Sequence, residues 1–413
     1  MGPCVLFDKS FLQSLSLDEA VLFDNFFLCN IAPLFFVETL ADLEKAVREG
    51  RTPEDEVGII ASKTPELHAE PNATHGNLCL GELLGHRVPM TGQIILSGGY
   101  AVKAGDKTGF VHEPSREVEA MSRWRNREFL EVERQFARTW RSAISEMDFE
   151  GTLQMLNAVG IRPQSCKTLE QAKGLAEAVF AGTDRHFERM KLAIELLHIP
   201  ERYRGAVFER WKNSGYRPLV TFAPYAAHVC TVELFFYIAT AAELLSAQRV
   251  TNKIDLAYIY YVPFCTIFVS SDNIHRRCVP LFMRDDQQFI WGLDLKASLK
   301  SVDEAFSKLP QAELEKGLFH VASRPPNEAT LIVELFDRFC PGWRKSSIEL
   351  PLSPELNSSL AEQVSKMAEA RRLSPAEIDF DVSDTDAVTM KMRLHKKRGK
   401  YWQLPKDLKR ADE

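Results

Sequence analysis

Among the eight cysteines of this 413-residue chain there is no C-x-x-C pair and no regular spacing. That excludes a zinc knuckle and argues against a disulfide framework; reduced, buried thiols in a cytoplasmic protein are expected instead. No long apolar run is free of charge. The nearest, Ala226 to Leu245, carries Glu233 and Glu243 and reads as a buried helix, so no membrane contact is expected. His68, His75 and His86 lack zinc spacing. Gly98-Gly99 is followed by neither a Lys-Ser/Thr pair nor a helix start, so it marks a turn and not a phosphate loop. MGPCVLFDKS has no basic n-region and no long apolar segment, and Leu6 stands where a myristoylation signal has Ser or Thr; no secretory signal is expected. Internal repeats and low-complexity tracts are missing. Positive charge is not in excess either. With a net charge of −6, binding of a polyanion would rest on local basic patches.

What is present is an ordinary globular balance, 45% apolar and 26% charged residues, on a chain long enough for two domains or one domain with a large insertion. The organising stretch is KIDLAYIYYVPFCTIFVSSDNIH, from Lys253 to His275. Phe264 to Val269 is apolar, β-branched and aromatic, as a buried parallel strand is, and it runs into Ser270-Ser271-Asp272. Val5-Leu6-Phe7-Asp8 repeats that design. Open α/β sheets keep their chemistry at the carboxyl ends of strands. Between these two stretches lie Glu38, on a helix opened by Pro33, and Asp255, on an amphipathic run. Hard divalent cations take oxygen ligands and keep several waters. Asp8, Glu38, Asp255 and Asp272 are therefore candidate ligands for Mg²⁺ or Mn²⁺ in phosphodiester hydrolysis.

The intervening region changes character. Residues 50–113 are rich in Gly, Pro and His, and QIILSGGYAVKAG suggests two strands joined at Gly98-Gly99. A helix is then expected over about 114–147, roughly 50 Å long. Val118, Met121, Val132, Phe136 and Trp140 share one face. Arg116, Arg123, Arg127, Arg134, Arg138 and Arg141 lie within roughly 60° of one another on the opposite face; Arg125 is out of line. From about 301 the chain reads as helical and polar, with a basic tail from Lys391 to Arg410.

The ordered acids, Asp8 in VLFDKS, Glu38 in PLFFVETLADL, Asp255 in KIDLAYIYY and Asp272 in IFVSSD, resemble the pattern of the PIN domain nucleases. In that family an Asp ends the first strand, a Glu lies on the following helical pair, and a third acid opens a helix leading to a strand that closes in an Asp-containing loop. Asp255 and Asp272 stand 17 positions apart. Ser270 and Ser271 stand where the family often has a hydroxyl near the metal. Lys9 after the first Asp, and some 170 residues between the second acid and the C-terminal half, depart from the compact family pattern.

The resemblance implies a PIN-like three-layer α/β/α fold with a central parallel sheet. Residues 1–48 and 217–300 would form its two halves, 49–216 an α+β insertion and 301–413 a helical extension. It implies a metal-dependent endoribonuclease, with RNA or single-stranded DNA as partner. On this reading Arg123, Arg127, Arg134 and Arg138 guide the substrate, and His275 and Arg276 meet a phosphate. PIN-like toxins need an antitoxin; nothing here indicates one, and the oligomeric state is not legible.

Each feature also has a structural alternative. Asp255 and Asp272 suit helix N-caps. The arginine stripe suits a solvated face paired with Glu119, Glu128 and Glu131, and the basic tail suits a solvated terminus. A non-catalytic nucleic-acid- or protein-binding scaffold of the same fold is the second reading.

Overall fold

In the computed structural model, residues 2–45, 50–145, 162–246, 251–345, 354–378, 380 and 385–408 are described. The fold is mixed α/β. Its strands are β1 (Cys4–Phe7), β2 (Leu28–Ile31), β3 (Ala69–Pro71), β4 (Tyr100–Ala104), β5 (Lys107–His112), β6 (Ile267–Ser270), β7 (Gln288–Trp291), β8 (Arg371–Arg372) and β9 (Ala387–Met390). A short hairpin, β10 (Lys397–Arg398) and β11 (Tyr401–Trp402), follows.

Five strands form a central sheet in the order β3-β2-β1-β6-β7, and every pairing in it is parallel. Strands buried on both faces need unbroken apolar runs, and CVLF and IFVS are buried throughout. Phenylalanines weld the flanking helices to the sheet. Phe7 meets Phe23 and Phe35 edge-on at 5.6 and 5.4 Å, and Phe11 meets Phe23 at 5.2 Å. Such pairs contribute about 0.5–1.5 kcal/mol each beyond area burial. The helix Pro224–Ala241 is buried along most of its length, as expected of the run beginning at Ala226. Among the described residues no helix is long and apolar enough to cross a membrane. All eight cysteines are free thiols, seven of them buried.

Several expectations are corrected. The strands β2 and β3 had no sequence signal of their own. Since β3 belongs to the central sheet, the inserted region starts after Pro71 and not at 49; residues 46–48 lie outside the described residues. The hairpin β4–β5 turns at Gly105-Asp106, and Gly98-Gly99 precedes it. The helix expected over 114–147 is two helices, Arg116–Arg125 and Glu131–Ser145; 146 and 147 lie outside the described residues. Arg127 adopts φ 64° in the break. The restart is held by Glu133, whose carboxylate accepts the Leu130 N–H at 2.8 Å and the Arg123 guanidinium at 2.5 Å.

The C-terminal region is not simply a helical extension. Strands β8 and β9 complete a four-stranded sheet in the order β8-β4-β5-β9, so insertion and C-terminus fold together. Nor is the basic tail solvated throughout. Arg398 is buried against Asp24 at 3.0 Å. Lys409 and Arg410 lie outside the described residues.

Candidate active site at the carboxyl edge of the sheet

In the order β3-β2-β1-β6-β7 the chain leaves β1 toward one edge and β6 toward the other. The crevice between the carboxyl ends of those two strands is where open α/β sheets bind ligands. Asp8 directly follows β1, and Ser271-Asp272 directly follow β6. Register brings the two ends level, with Phe7 opposite Val269.

Both aspartates cap the helices that begin there. Asp8 Oδ1 accepts the Phe11 N–H at 3.0 Å, and Asp272 Oδ1 accepts the Ile274 N–H at 2.8 Å. The capping alternative therefore holds for Asp272. It fails for Asp255, which lies inside the helix Thr251–Ala257 rather than opening it. Ser10 ties the two strand ends together: its hydroxyl donates to Asp8 Oδ2 at 2.6 Å and accepts the Ser271 N–H at 3.2 Å.

His275 lies at the centre of the cluster. It is 1% exposed, so it does not meet a phosphate at the surface as expected. Its Nε2 donates to the Asp255 carbonyl at 2.6 Å. Nδ1 faces Ser270 Oγ at 2.8 Å and Asp8 Oδ2 at 3.4 Å. Burial disfavours a charged ring, but the Asp8 carboxylate and the Asp255 carbonyl outweigh it and raise the imidazole to about 9. Burial likewise works to raise Asp8, and His275, Ser10 and the Phe11 N–H overcome it to hold the carboxyl below its ordinary value. An imidazolium and a carboxylate thus face each other under the sheet edge.

Glu38 lies on the helix Pro33–Leu40 as expected. Tyr258 Oη donates to its Oε2 at 2.5 Å. Burial raises Glu38 above the usual carboxylate range, against the pull of Lys9 and Tyr258. Lys9 is itself buried. Its ammonium donates to the Glu38 carbonyl at 2.9 Å, near that helix's negative end, and to Asp42 at 3.0 Å. Asp255 is pushed up to about 7, first by burial and then, against His275, by the charges of Glu38, Asp272 and Asp8. The four predicted acids are electrostatically coupled. Ser10, Tyr258 and Asp42 were missed, because their parts depend on contacts between distant segments.

Ser270 is engaged by His275 and by the Asp272 N–H at 2.9 Å. The Ser271 hydroxyl oxygen is buried without a hydrogen-bond partner. Arg276 is exposed, with its guanidinium 5.2 Å from the centre of the Trp291 ring. The predicted arginine ladder is interrupted, and the four arginines expected to guide the substrate each face an acid. Arg123 pairs with Glu133, Arg127 with Asp55, Arg134 with Glu54 and Arg138 with Glu44. None of these partners is a glutamate expected at helical spacing. Arg125, out of line in the sequence, is the most enclosed of the five, paired with Glu66 at 2.8 Å.

Four carboxylates gathered at the sheet edge, two of them, Glu38 and Asp255, raised first by burial and then by neighbouring negative charge, offer the oxygen donors a hard divalent ion takes. As they stand, no three His, Cys, Asp or Glu side chains among the described residues converge on one point. That is compatible with Mg²⁺, which is ordinarily held by one or two carboxylates and several waters rather than by a closed protein cage. Comparison with family models, curated proteins and solved structures finds no match to this chain.

Proposed function

We propose that this chain is a PIN-like, Mg²⁺- or Mn²⁺-dependent nuclease that cleaves RNA endonucleolytically, with single-stranded DNA as the alternative substrate. The supporting observation is the coupling of Asp8, Glu38, Asp255 and Asp272 at the carboxyl edge of a parallel sheet, at the point where strand order reverses. Asp8, Glu38, Asp255 and Asp272 would hold the ion, which when bound would lower the pKa of a water and offset phosphate charge. His275 keeps Asp8 ionised and fixes the helix carrying Asp255 through its carbonyl. Tyr258 and Lys9 hold Glu38 from the side chain and the backbone. Arg276, exposed on the helix that Asp272 caps, would meet the strand being cut. Buried free thiols suit a reducing, cytoplasmic setting.

A second reading, a non-catalytic scaffold of the same fold, is favoured by the employment of Asp8 and Asp272 as helix caps. Cleavage of mixed-sequence labelled RNA and single-stranded DNA separates the two, run in Mn²⁺ or Mg²⁺, in EDTA, and with Asp272→Asn. Asn is as good an N-cap as Asp, so that variant keeps its fold. Metal-dependent cutting that it lacks supports the nuclease; a folded protein that neither cuts nor binds divalent metal leaves the scaffold.

A further inference from the structure

The insertion carries a second feature that the carboxylate site does not use. Trp211, 1% exposed, donates its indole N–H to the Arg217 carbonyl at 2.8 Å and so anchors the turn after the helix Glu201–Asn213. Against it stand Phe187 and Tyr216, with ring centroids 5.3 and 5.0 Å away, and 5.2 Å from each other. They are 45% and 36% exposed. His186 fills the space between the three rings, 4.6 to 5.7 Å from each.

Two non-glycine residues with positive φ flank this cluster, Arg185 at 47° and Tyr216 at 56°. Bulky side chains adopt that region at a cost, and such strain gathers at functional sites. Charge points the same way. Segments 184–191 and 209–217 carry six Lys or Arg against three Asp or Glu, in a chain whose net charge is −6. Arg189 and Arg210 are turned inward onto backbone carbonyls. Arg185, Lys212 and Arg217 are exposed and make no ion pair among the described residues.

We infer that Phe187 and Tyr216, rimmed by Arg185, Lys212 and Arg217, form a docking platform for single-stranded nucleic acid, remote in sequence from the cleaving carboxylates. Exposed rings on a rigid base accept unpaired bases by stacking, and nearby cations meet the phosphates. This deepens the nuclease reading and rests on it for the purpose of the platform, though not for its binding.

The test uses the whole chain. Binding of a labelled single-stranded oligonucleotide is measured in EDTA for wild type and for Phe187→Ala/Tyr216→Ala. Metal-dependent cleavage of a long and a short oligonucleotide is measured alongside. The double variant should lose roughly tenfold or more in affinity. Its cleavage of the long oligonucleotide should fall in step with its affinity, more than that of the short one. Arg185→Glu/Arg217→Glu leaves the aromatic packing intact and should flatten the salt dependence by roughly one unit of slope per residue. Affinity and salt slope unchanged in both variants would overturn the platform and leave the patch to a protein partner. Wild type that binds through these residues and cuts nothing would uphold the platform while refuting the nuclease.

Discussion

Two of the buried ionic clusters among the described residues are built on different plans. At the C-terminal dock, Asp24 is fully buried yet accepts the N–H groups of Glu66, Leu67 and His68, with Arg398 at 3.0 Å. Glu66 beside it meets Arg125 at 2.8 Å and His395 at 3.0 Å. Each charge there has a partner. At the sheet's carboxyl edge the nearby cations are chiefly His275 and Lys9, and burial, followed by neighbouring carboxylate charge, raises Asp255 and Glu38 in spite of them. Buried charge that is fully matched holds segments together; buried charge left partly unmatched is held ready for something else.

The largest effect should come from unbalancing the dock. Arg398→Met removes the cation from Asp24 and the donors to the Ser62 and Thr64 carbonyls. Breaking a buried pair on one side costs about 3–5 kcal/mol, so the midpoint of urea unfolding should fall sharply while the folded fraction keeps the proposed nuclease activity. A loss within about 0.5 kcal/mol, the range of an ordinary surface substitution, would mean the C-terminal hairpin is not a structural clamp.

One carboxylate from each cluster, Glu66 and Asp255, should also answer pH with opposite signs. Burial would raise Glu66, but His395, Arg398 and Arg125 bring it down from 4.5 to about 2. Its folded pKa is depressed, so its contribution is complete above pH 4.5 and is lost as pH falls toward 2. Asp255 is raised from 3.8 to about 7. Its ionisation therefore weakens the fold as pH climbs from about 4 to about 7, by on the order of a few kcal/mol. In EDTA, Asp255→Asn should be more stable than wild type at pH 8 and equal to it near pH 4; with metal added, the proposed cleavage should be lost. Parallel stability curves for the two proteins would show that neither burial nor neighbouring charge raises Asp255 in the folded state.

The difference between the regions also explains how much of each was legible in the sequence. Asp8 and Asp272 could be placed because an apolar run ending in a carboxylate is a local pattern, and the local pattern decides where a strand stops. Glu38 followed from a Pro-initiated helix. The dock could not be read, because Arg398 and Asp24 are 374 positions apart and neither carries a local signature. The strands β2 and β3 are too short to differ from buried helix segments by periodicity. The break after Arg125 contains no Gly or Pro; Glu133 closes it through side-chain contacts, so the arginine phase continues through a helix that does not.

A smaller effect is expected at Tyr258, whose hydroxyl meets Glu38 across the crevice. Tyr258→Phe keeps the ring packed against His275, 5.6 Å away, and removes one charge-assisted hydrogen bond worth about 1.5–3 kcal/mol at most. Since that bond lowers Glu38 against burial, its loss should raise Glu38 further and move the acid limb of the proposed cleavage activity to higher pH, with little change in nucleic-acid affinity. An unmoved limb would exclude Glu38 from the rate-determining ionisation.

The smallest change in stability should come from the arginine helices. Arg134 meets Glu54 at 2.7 Å with about a third of its side chain exposed, and Arg127 meets Asp55 at 3.4 Å while more open still. Partly exposed pairs contribute about 0–1 kcal/mol, so Arg127→Ala/Arg134→Ala should unfold almost as wild type does. Nucleic acid tells a different story if these guanidiniums leave their acids to meet phosphates. Affinity should then fall, and the slope of log affinity against log salt should flatten by roughly one unit per arginine. An unchanged slope would assign both arginines to holding the helices against the segment Pro53–Lys63, leaving the substrate path to Arg276 and the aromatic platform of the insertion.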